Sequence, residues 1–152
     1  MTARPIEAAN LKVKLFPSPI EPSWILEGNP RARSCTLCRS TDGTDRTVVW
    51  ECTGGKFNWY YGYDETILIL EGSIILENDS FPPTRYGVGD VILFRKGAHA
   101  RWHVGNYVRK LAFCHSVDPA IIGFVLGALR ASKRKLSSVT QNTALPHGSG
   151  TL

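Results

Sequence analysis

No apolar run in the sequence comes close to the roughly 20 residues that a helix needs to span a bilayer, so no membrane-spanning helix and no membrane partner are expected. Residues Met1 to Asn10 lack a basic region followed by an apolar stretch. No secretory signal is therefore expected, and a cytoplasmic location is the default. Histidine is scarce, with four in 152 residues: His99, His103, His115 and His147. No two of them form an H-x-H pair. Charge of one sign does not dominate either. Eighteen Lys and Arg against thirteen Asp and Glu give a net charge of +5, and Arg130, Lys133, Arg134 and Lys135 crowd the C-terminal part. Such a cluster suits a solvated helix end that complements the helix dipole. No recognised nucleic-acid-binding module accompanies it, so nucleic acid is not an expected partner.

Cysteine is too sparse for a disulfide framework. The four thiols are Cys35, Cys38, Cys52 and Cys114. Cys35 and Cys38 form a lone C-x-x-C, and a zinc site would need a second ligand pair, for which His115 beside Cys114 is the only nearby candidate. The segment from Ala32 to Arg39 has the pattern of a strand, where positions three apart face opposite sides. Unrelated, buried thiols are the expectation.

Helical periodicity is missing from Arg33 to Phe113, and many short strands between turns take its place. Cys35 to Arg39, Arg46 to Cys52, Lys56 to Tyr61, Thr66 to Leu70, Ser73 to Glu77, Val91 to Phe94, Ala100 to Val104 and Arg109 to Phe113 have strand composition. Thr53-Gly54-Gly55 and Glu71-Gly72 have turn composition, and Asn78 to Thr84 that of a polar loop. Strands at 8 to 12 residue spacing without helices between them predict an all-β antiparallel sandwich or barrel. Residues 1–30 carry Pro5, Pro17, Pro19, Pro22 and Pro30 and predict an extended N-terminal arm, with short apolar pieces along a sheet edge. After Ser116 the pattern changes. Asp118-Pro119 is a helix start, and Ile121, Ile122, Val125, Leu126 and Leu129 fall on one helical stripe. The expected organisation is an arm over 1–30, a barrel over 31–116, a C-terminal helix over 117–135 and a disordered tail over 136–152.

Two segments carry a recognisable constellation. The first runs from Gly54-Gly55-Lys56-Phe57 through Asp64-Glu65 to Leu70-Glu71-Gly72, with Glu65 seven residues before Gly72. The second is Gly89-Asp90, an apolar strand, Gly97, then Trp102 and Arg109-Lys110. Together they resemble the two motifs of the cupin superfamily. W-E-C-T-x-G-x-F-x-W at Trp50 to Trp59 is similar to the subgroup that holds ureidoglycine aminohydrolase and the ethanolamine-utilisation cupin. The resemblance covers roughly residues 20 to 115. It implies a small jelly-roll barrel of the RmlC-like kind, and a homodimer, since cupins commonly pair through their sheets.

The resemblance also implies where a metal would sit, on an H-x-H pair, a glutamate and a third histidine. Here Trp59 and Tyr61 occupy the H-x-H positions and Ala100 the third, so only Glu65 remains. The expectation is no metal cofactor. The alternative is a divalent metal such as Mn, Fe, Ni or Zn on Glu65 and His99, provided a bulge near Gly97 turns His99 inward. His103 has the opposite parity from Trp102 and is expected on the outer face. Without a metal, Trp59, Tyr61, Tyr63 and Trp102 would line a pocket around Glu65, the candidate acid–base group. Aromatic walls and one carboxylate suit a small nitrogen-containing or sugar-like molecule. Against this stands a filled core, in which the aromatic residues only pack and Glu65 pairs with Arg101, Arg109 or Lys110. Three functions stay open: a small-molecule-binding cupin, with or without metal-independent catalysis, a non-catalytic dimeric sensing or interaction cupin, and a metal-dependent aminohydrolase-like enzyme.

Overall fold

The computed structural model describes residues 4–116, and these form an almost purely antiparallel β structure. The strands are β1 (Phe16–Pro17), β2 (Ile25–Gly28), β3 (Ala32–Arg39), β4 (Asp45–Tyr60), β5 (Asp64–Asn78), β6 (Phe81–Gly87), β7 (Val91–Phe94) and β8 (His99–His115), with one 3-10 turn at Pro22–Trp24. The C-terminal helix expected over 117–135 and the tail after it lie outside the described residues.

The all-β expectation holds, but several boundaries differ from the sequence reading, and Ala100–Val104 and Arg109–Phe113 join into the one strand β8. Thr53-Gly54-Gly55 and Glu71-Gly72 are not turns. Each lies inside one long strand that bends, so β4 runs for 16 residues and β5 for 15. Asn78 to Thr84 is not all loop, because β6 begins at Phe81 and carries Pro82 and Pro83. Proline is tolerated there because β6 is an edge strand, bonded only to β5.

The bends fall on one line across the sheet. Register shifts occur between Thr53 and Gly55 of β4 and between Gly72 and Ile74 of β5, both against β8 near Gly105. Gly72 has φ +73°, and a Cβ there would run into the carbonyl oxygen of Tyr107. Only glycine lets β5 and β8 approach this closely while the backbone turns. Along this line the sheet doubles over. One half holds β1, β3, the first half of β4, the second half of β8, the first half of β5 and β7. The other holds β2, the second half of β4, the first half of β8, the second half of β5 and β6. The pairing path runs β1-β3-β4-β8-β5-β6 and does not return on itself. The expected barrel is therefore an open, folded sheet over the described residues, because among them neither β1 nor β6 finds a partner on its free side.

The core lies between the two halves. Trp50, Cys52, Ile67, Ile69, Val108 and Ala112 from one half meet Phe57, Ile74, Leu76, Ala100, Trp102 and Val104 from the other, all buried. Alternation along each strand sends these residues inward. The arm covers part of the outside. Leu15 is buried, Ser18 N–H donates to the Ala32 carbonyl at 2.9 Å, and Arg109 Nη2 donates to the Leu11 carbonyl at 2.5 Å. Glu51, buried on this outer face, accepts hydrogen bonds from Arg33 and from Tyr107 Oη, the latter at 2.7 Å.

The two thiols of the C-x-x-C correct the sequence expectation. A register shift between Thr36 and Cys38 sets Cys35 opposite Val49 and Cys38 opposite Thr47. Val49 and Thr47 are two apart, so the bulge brings both thiols to the same face. They are half-buried rather than buried. Cys52 and Cys114 are buried as expected, and burial pushes the Cys52 thiol up to about 12.

The fold line makes a quantitative prediction. Gly72→Ala combines a left-handed backbone with a backbone clash and should lower unfolding free energy by about 3 kcal/mol or more. Gly43→Ala shares the left-handed backbone, φ +75°, but meets open space, and should cost only about 1 kcal/mol. Denaturant unfolding of both variants checks this, and equal losses would mean that the close approach at Gly72 carries no weight.

Candidate functional site

Strand alternation fixes what faces the interior near Glu65. On β4 the inward positions are Arg46, Val48 and Trp50, and on β8 they are Lys110, Ala112 and Cys114. Trp50 lies opposite Lys110, Glu65 opposite Cys114, and Ile69 opposite Lys110. Glu65 and Lys110 are each only 4% exposed. Lys110 Nζ donates to Glu65 Oε1 at 2.5 Å, forming a buried ion pair. The same ammonium lies 5.0 Å from the Trp50 ring centre and 5.1 Å from that of Trp102. Two indole faces thus help to hold a charge that burial alone would penalise.

Beside this pair lies a cavity of about 210 Å³, into which Trp59, Tyr63, Ser18, Ser34 and Thr36 also face. No buried side-chain oxygen or nitrogen among the described residues lacks a hydrogen-bond partner. Glu65 Oε2 makes no such bond among the described residues, and Glu65 borders the cavity. Arg46 Nη2 donates to Tyr63 Oη at 2.8 Å, with the guanidinium 5.1 Å from the Tyr63 ring centre. Burial, and then the nearby Cys114 and Glu65, raise the Tyr63 hydroxyl above its ordinary value. Burial and the charge of Glu65 likewise raise the Cys114 thiol. Both groups therefore keep their protons at neutral pH.

The aromatic residues predicted from sequence divide into two sets. Trp59 and Tyr63 border the cavity. Tyr61 and Trp102 are buried behind it: Trp102 Nε1 donates to Tyr61 Oη at 3.2 Å, and Tyr61 stacks on Phe94 with ring centres 4.2 Å apart. Burial, reinforced by the charge of Glu65, holds the Tyr61 hydroxyl well above its ordinary value. Trp102 still contributes to the site, as one of the two faces over Lys110. The sequence reading missed Arg46 and Trp50 as site residues and treated Lys110 only as one of three possible partners for Glu65. Equal parity with Trp102 along β8 was the signal that put Lys110 inside. Trp24, from the 3-10 turn in the arm, packs edge-on against Trp59 at 5.5 Å and closes this side.

The structure does not bring His99 to Glu65. His99 lies opposite Tyr60, one position out of step with the inward pair Trp59 and Ala100. Its ring stacks on the exposed Tyr60, and its Nε2 is 2.9 Å from Asn58 Oδ1. No bulge rotates it inward. His103 is exposed, as expected. The donor set does not fit a transition metal: Trp59, Tyr61 and Ala100 hold the three histidine positions, and the one carboxylate already faces an ammonium. Among the described residues no three His, Cys, Asp or Glu side chains gather in one place. No helix among them is long and apolar enough to cross a membrane.

A doubled antiparallel sheet with these two motifs around its interior is similar to the fold of the cupin superfamily. More narrowly, residues 39–112 match the family model described as the EutQ-like cupin domain. A solved protein of unknown function from the DUF861 family of Pseudomonas syringae pv. tomato is 28% identical at a TM-score of 0.62, over 68% of this chain and 45% of its own. The putative ethanolamine utilization protein Q of Salmonella typhimurium is 21% identical at a TM-score of 0.51, over 58% of this chain and 72% of its own. The EutQ protein of Clostridium difficile is 19% identical at a TM-score of 0.51, over 59% and 65%. The last two show the fold alone. The chain thus spans less than half the length of the Pseudomonas protein. No curated protein matches the sequence.

The ion pair makes a testable prediction. Glu65→Gln alone leaves Lys110 buried without a counter-charge and should cost about 3–5 kcal/mol of stability. Glu65→Gln with Lys110→Met should recover most of that loss. Urea unfolding of the two single variants and the double variant measures the coupling, and strictly additive losses would mean that the two groups do not interact.

Proposed function

We propose that the chain is a small-molecule-binding cupin whose site is the cavity beside Glu65 and Lys110. The observation that carries this reading is a buried ion pair set at the edge of a cavity instead of sealed in the core. A filled core would gain more from apolar side chains of similar volume than from two buried charges. An ionisable pair held dry beside an aromatic-walled space is instead the arrangement that ligand recognition and proton transfer use. The cavity is smaller than the roughly 300–1,000 Å³ of drug-sized sites, which suits a small metabolite, nitrogen-containing or sugar-like, stacked on Trp59 and Tyr63.

If the site performs a reaction, Glu65 is its acid–base group, with Oε2 open to the ligand. Lys110 holds the carboxylate in place through Oε1 and stabilises negative charge that develops nearby. The metal-dependent aminohydrolase-like reading has no donor set to support it, because Glu65 and His99 face opposite sides of the sheet. The four free thiols suit a reducing compartment such as the cytoplasm.

A non-catalytic homodimer is favoured by one observation. Val91, Leu93 and Phe113 are exposed on the outer face of adjoining strands, and Leu93 and Phe113 both lie opposite Thr66. Such an apolar face suits pairing of two copies. Sedimentation that shows only a monomer across concentrations would remove this second reading.

The main reading is tested with a panel of small amines, amides and sugars titrated into the full chain, followed by tryptophan fluorescence. At least one compound should give a saturable change, because Trp50 and Trp59 border the cavity. The response should be lost in the double variant Glu65→Gln with Lys110→Met, whose fold is checked by circular dichroism. Responses that persist unchanged in this variant would place binding elsewhere. With the bound compound in hand, Glu65→Gln that binds it but no longer converts it would make Glu65 catalytic.

A further inference from the structure

Arg46 is the cavity cation that the Glu65–Lys110 pair does not neutralise. It lies on the inward face of β4, and no carboxylate among the described residues comes within ion-pair distance of it. The acids nearest in sequence and pairing are engaged elsewhere. Asp45 Oδ1 faces His115 Nδ1 at 2.6 Å, and Asp64 Oδ1 accepts from the Lys96 N–H at 2.7 Å. Arg46 instead bonds Tyr63 Oη, which occupies one of the five N–H groups of its guanidinium. Arg46 and Lys110 against Glu65 leave the charged residues at the cavity with a net charge of +1.

The neighbouring strand β3 and the arm add polar, uncharged groups to the lining. Ser18, Ser34 and Thr36 face the cavity, and their hydroxyls make no side-chain hydrogen bond among the described residues. Tyr63 and Cys114 stay protonated, for the reasons given above, and so add no negative charge at neutral pH. A planar guanidinium fork, hydroxyls on the neighbouring strand and two aromatic rings together describe the complement of a specific ligand.

We infer that the ligand of this cavity is a small hydroxylated carboxylate, with Arg46 as the residue that anchors its carboxylate group. The inference rests on the small-molecule reading above and narrows its ligand class. The carboxylate takes the place in the guanidinium's hydrogen bonding that no acid among the described residues fills. The hydroxyl of the ligand meets Ser34 and Thr36, and its carbon skeleton lies on Tyr63 and Trp59. Glu65 Oε2 then faces the polar middle of the ligand rather than its charged end, which avoids setting two carboxylates against each other.

The test uses three probes of nearly equal size: lactate, its neutral amide lactamide, and the cation 1-amino-2-propanol. Each is titrated into the 15N-labelled full chain, followed through the Arg46 side-chain N–H and the backbone amides of Ser34, Thr36 and Tyr63. Lactate should perturb these signals saturably, at lower concentration than lactamide, and the amine should have the weakest effect. Arg46→Gln should weaken lactate binding about ten- to hundredfold, the loss expected for charge-assisted hydrogen bonds. It should leave lactamide nearly unaffected. Arg46→Lys, which keeps the charge but not the fork, should fall between the two and guards against a folding defect in Arg46→Gln. Arg85→Gln, which changes an exposed arginine bonded to Ser73 Oγ, should change nothing. Equal responses to the acid and the amide, or lactate binding that is indifferent to Arg46, would overturn the carboxylate assignment while leaving the cavity as a binding site. If none of the three probes perturbs the cavity residues, the carboxylate assignment fails, and the wider panel of amines, amides and sugars decides separately whether the cavity binds a small molecule.

Discussion

Everything at the centre of this domain is arranged around one ammonium group and the carboxylate it holds. Lys110 reaches the interior because β8 alternates without interruption from Val108 to Cys114. There it lies between two indole rings and bonds Glu65. An isolated ammonium could not stay charged in such a place. A counter-charge and two ring faces, each worth about 0.5–2 kcal/mol, make it tolerable. The arrangement needs Trp50 from one half of the sheet and Trp102 from the other, so it depends on the sheet doubling over at Gly54, Gly72 and Gly105. The fold line and the ion pair are parts of one design.

This arrangement also separates the chain from what its cupin motifs would otherwise imply. Glu65, the one residue left of the implied ligand set, is bonded to a fixed cation carried by the chain itself. Positive charge in the interior is thus supplied by a side chain. A lysine is a proton donor and a hydrogen-bond donor, but it offers no open coordination position. On the proposed reading, Glu65, Lys110 and the neighbouring Arg46 supply binding, proton movement and charge stabilisation.

The all-β character was legible in the sequence, because strand alternation and the glycine-bearing motifs are local signals. The sequence also singled out Glu65 and placed Trp102 inside and His103 outside by parity. Three things were hidden. Gly54-Gly55 and Gly72 have turn composition, and only the register against β8 shows that they bend continuous strands. Cys35 and Cys38 were assigned opposite faces because a bulge near Leu37 leaves no mark in composition. Arg46 and Lys110 were not selected as site residues, because a cation on a strand is normally a solvated residue and its inward parity becomes meaningful only once the strand pairing is known. Tyr61 illustrates the reverse error: it is inside, as expected, but its hydroxyl is spent on Trp102 and its ring on Phe94.

The most direct test is the magnetic environment of Lys110 itself. In a spectrum that detects lysine side-chain ammonium groups, the Lys110 Nζ and Cε protons should lie upfield of those of every other lysine, shifted by the Trp50 and Trp102 rings. Its ammonium protons should also exchange slowly with water, because the pair with Glu65 is buried. A Lys110 signal with the shifts and fast exchange of a solvated lysine would contradict the account, because neither the ion pair nor the cavity built on it would then exist.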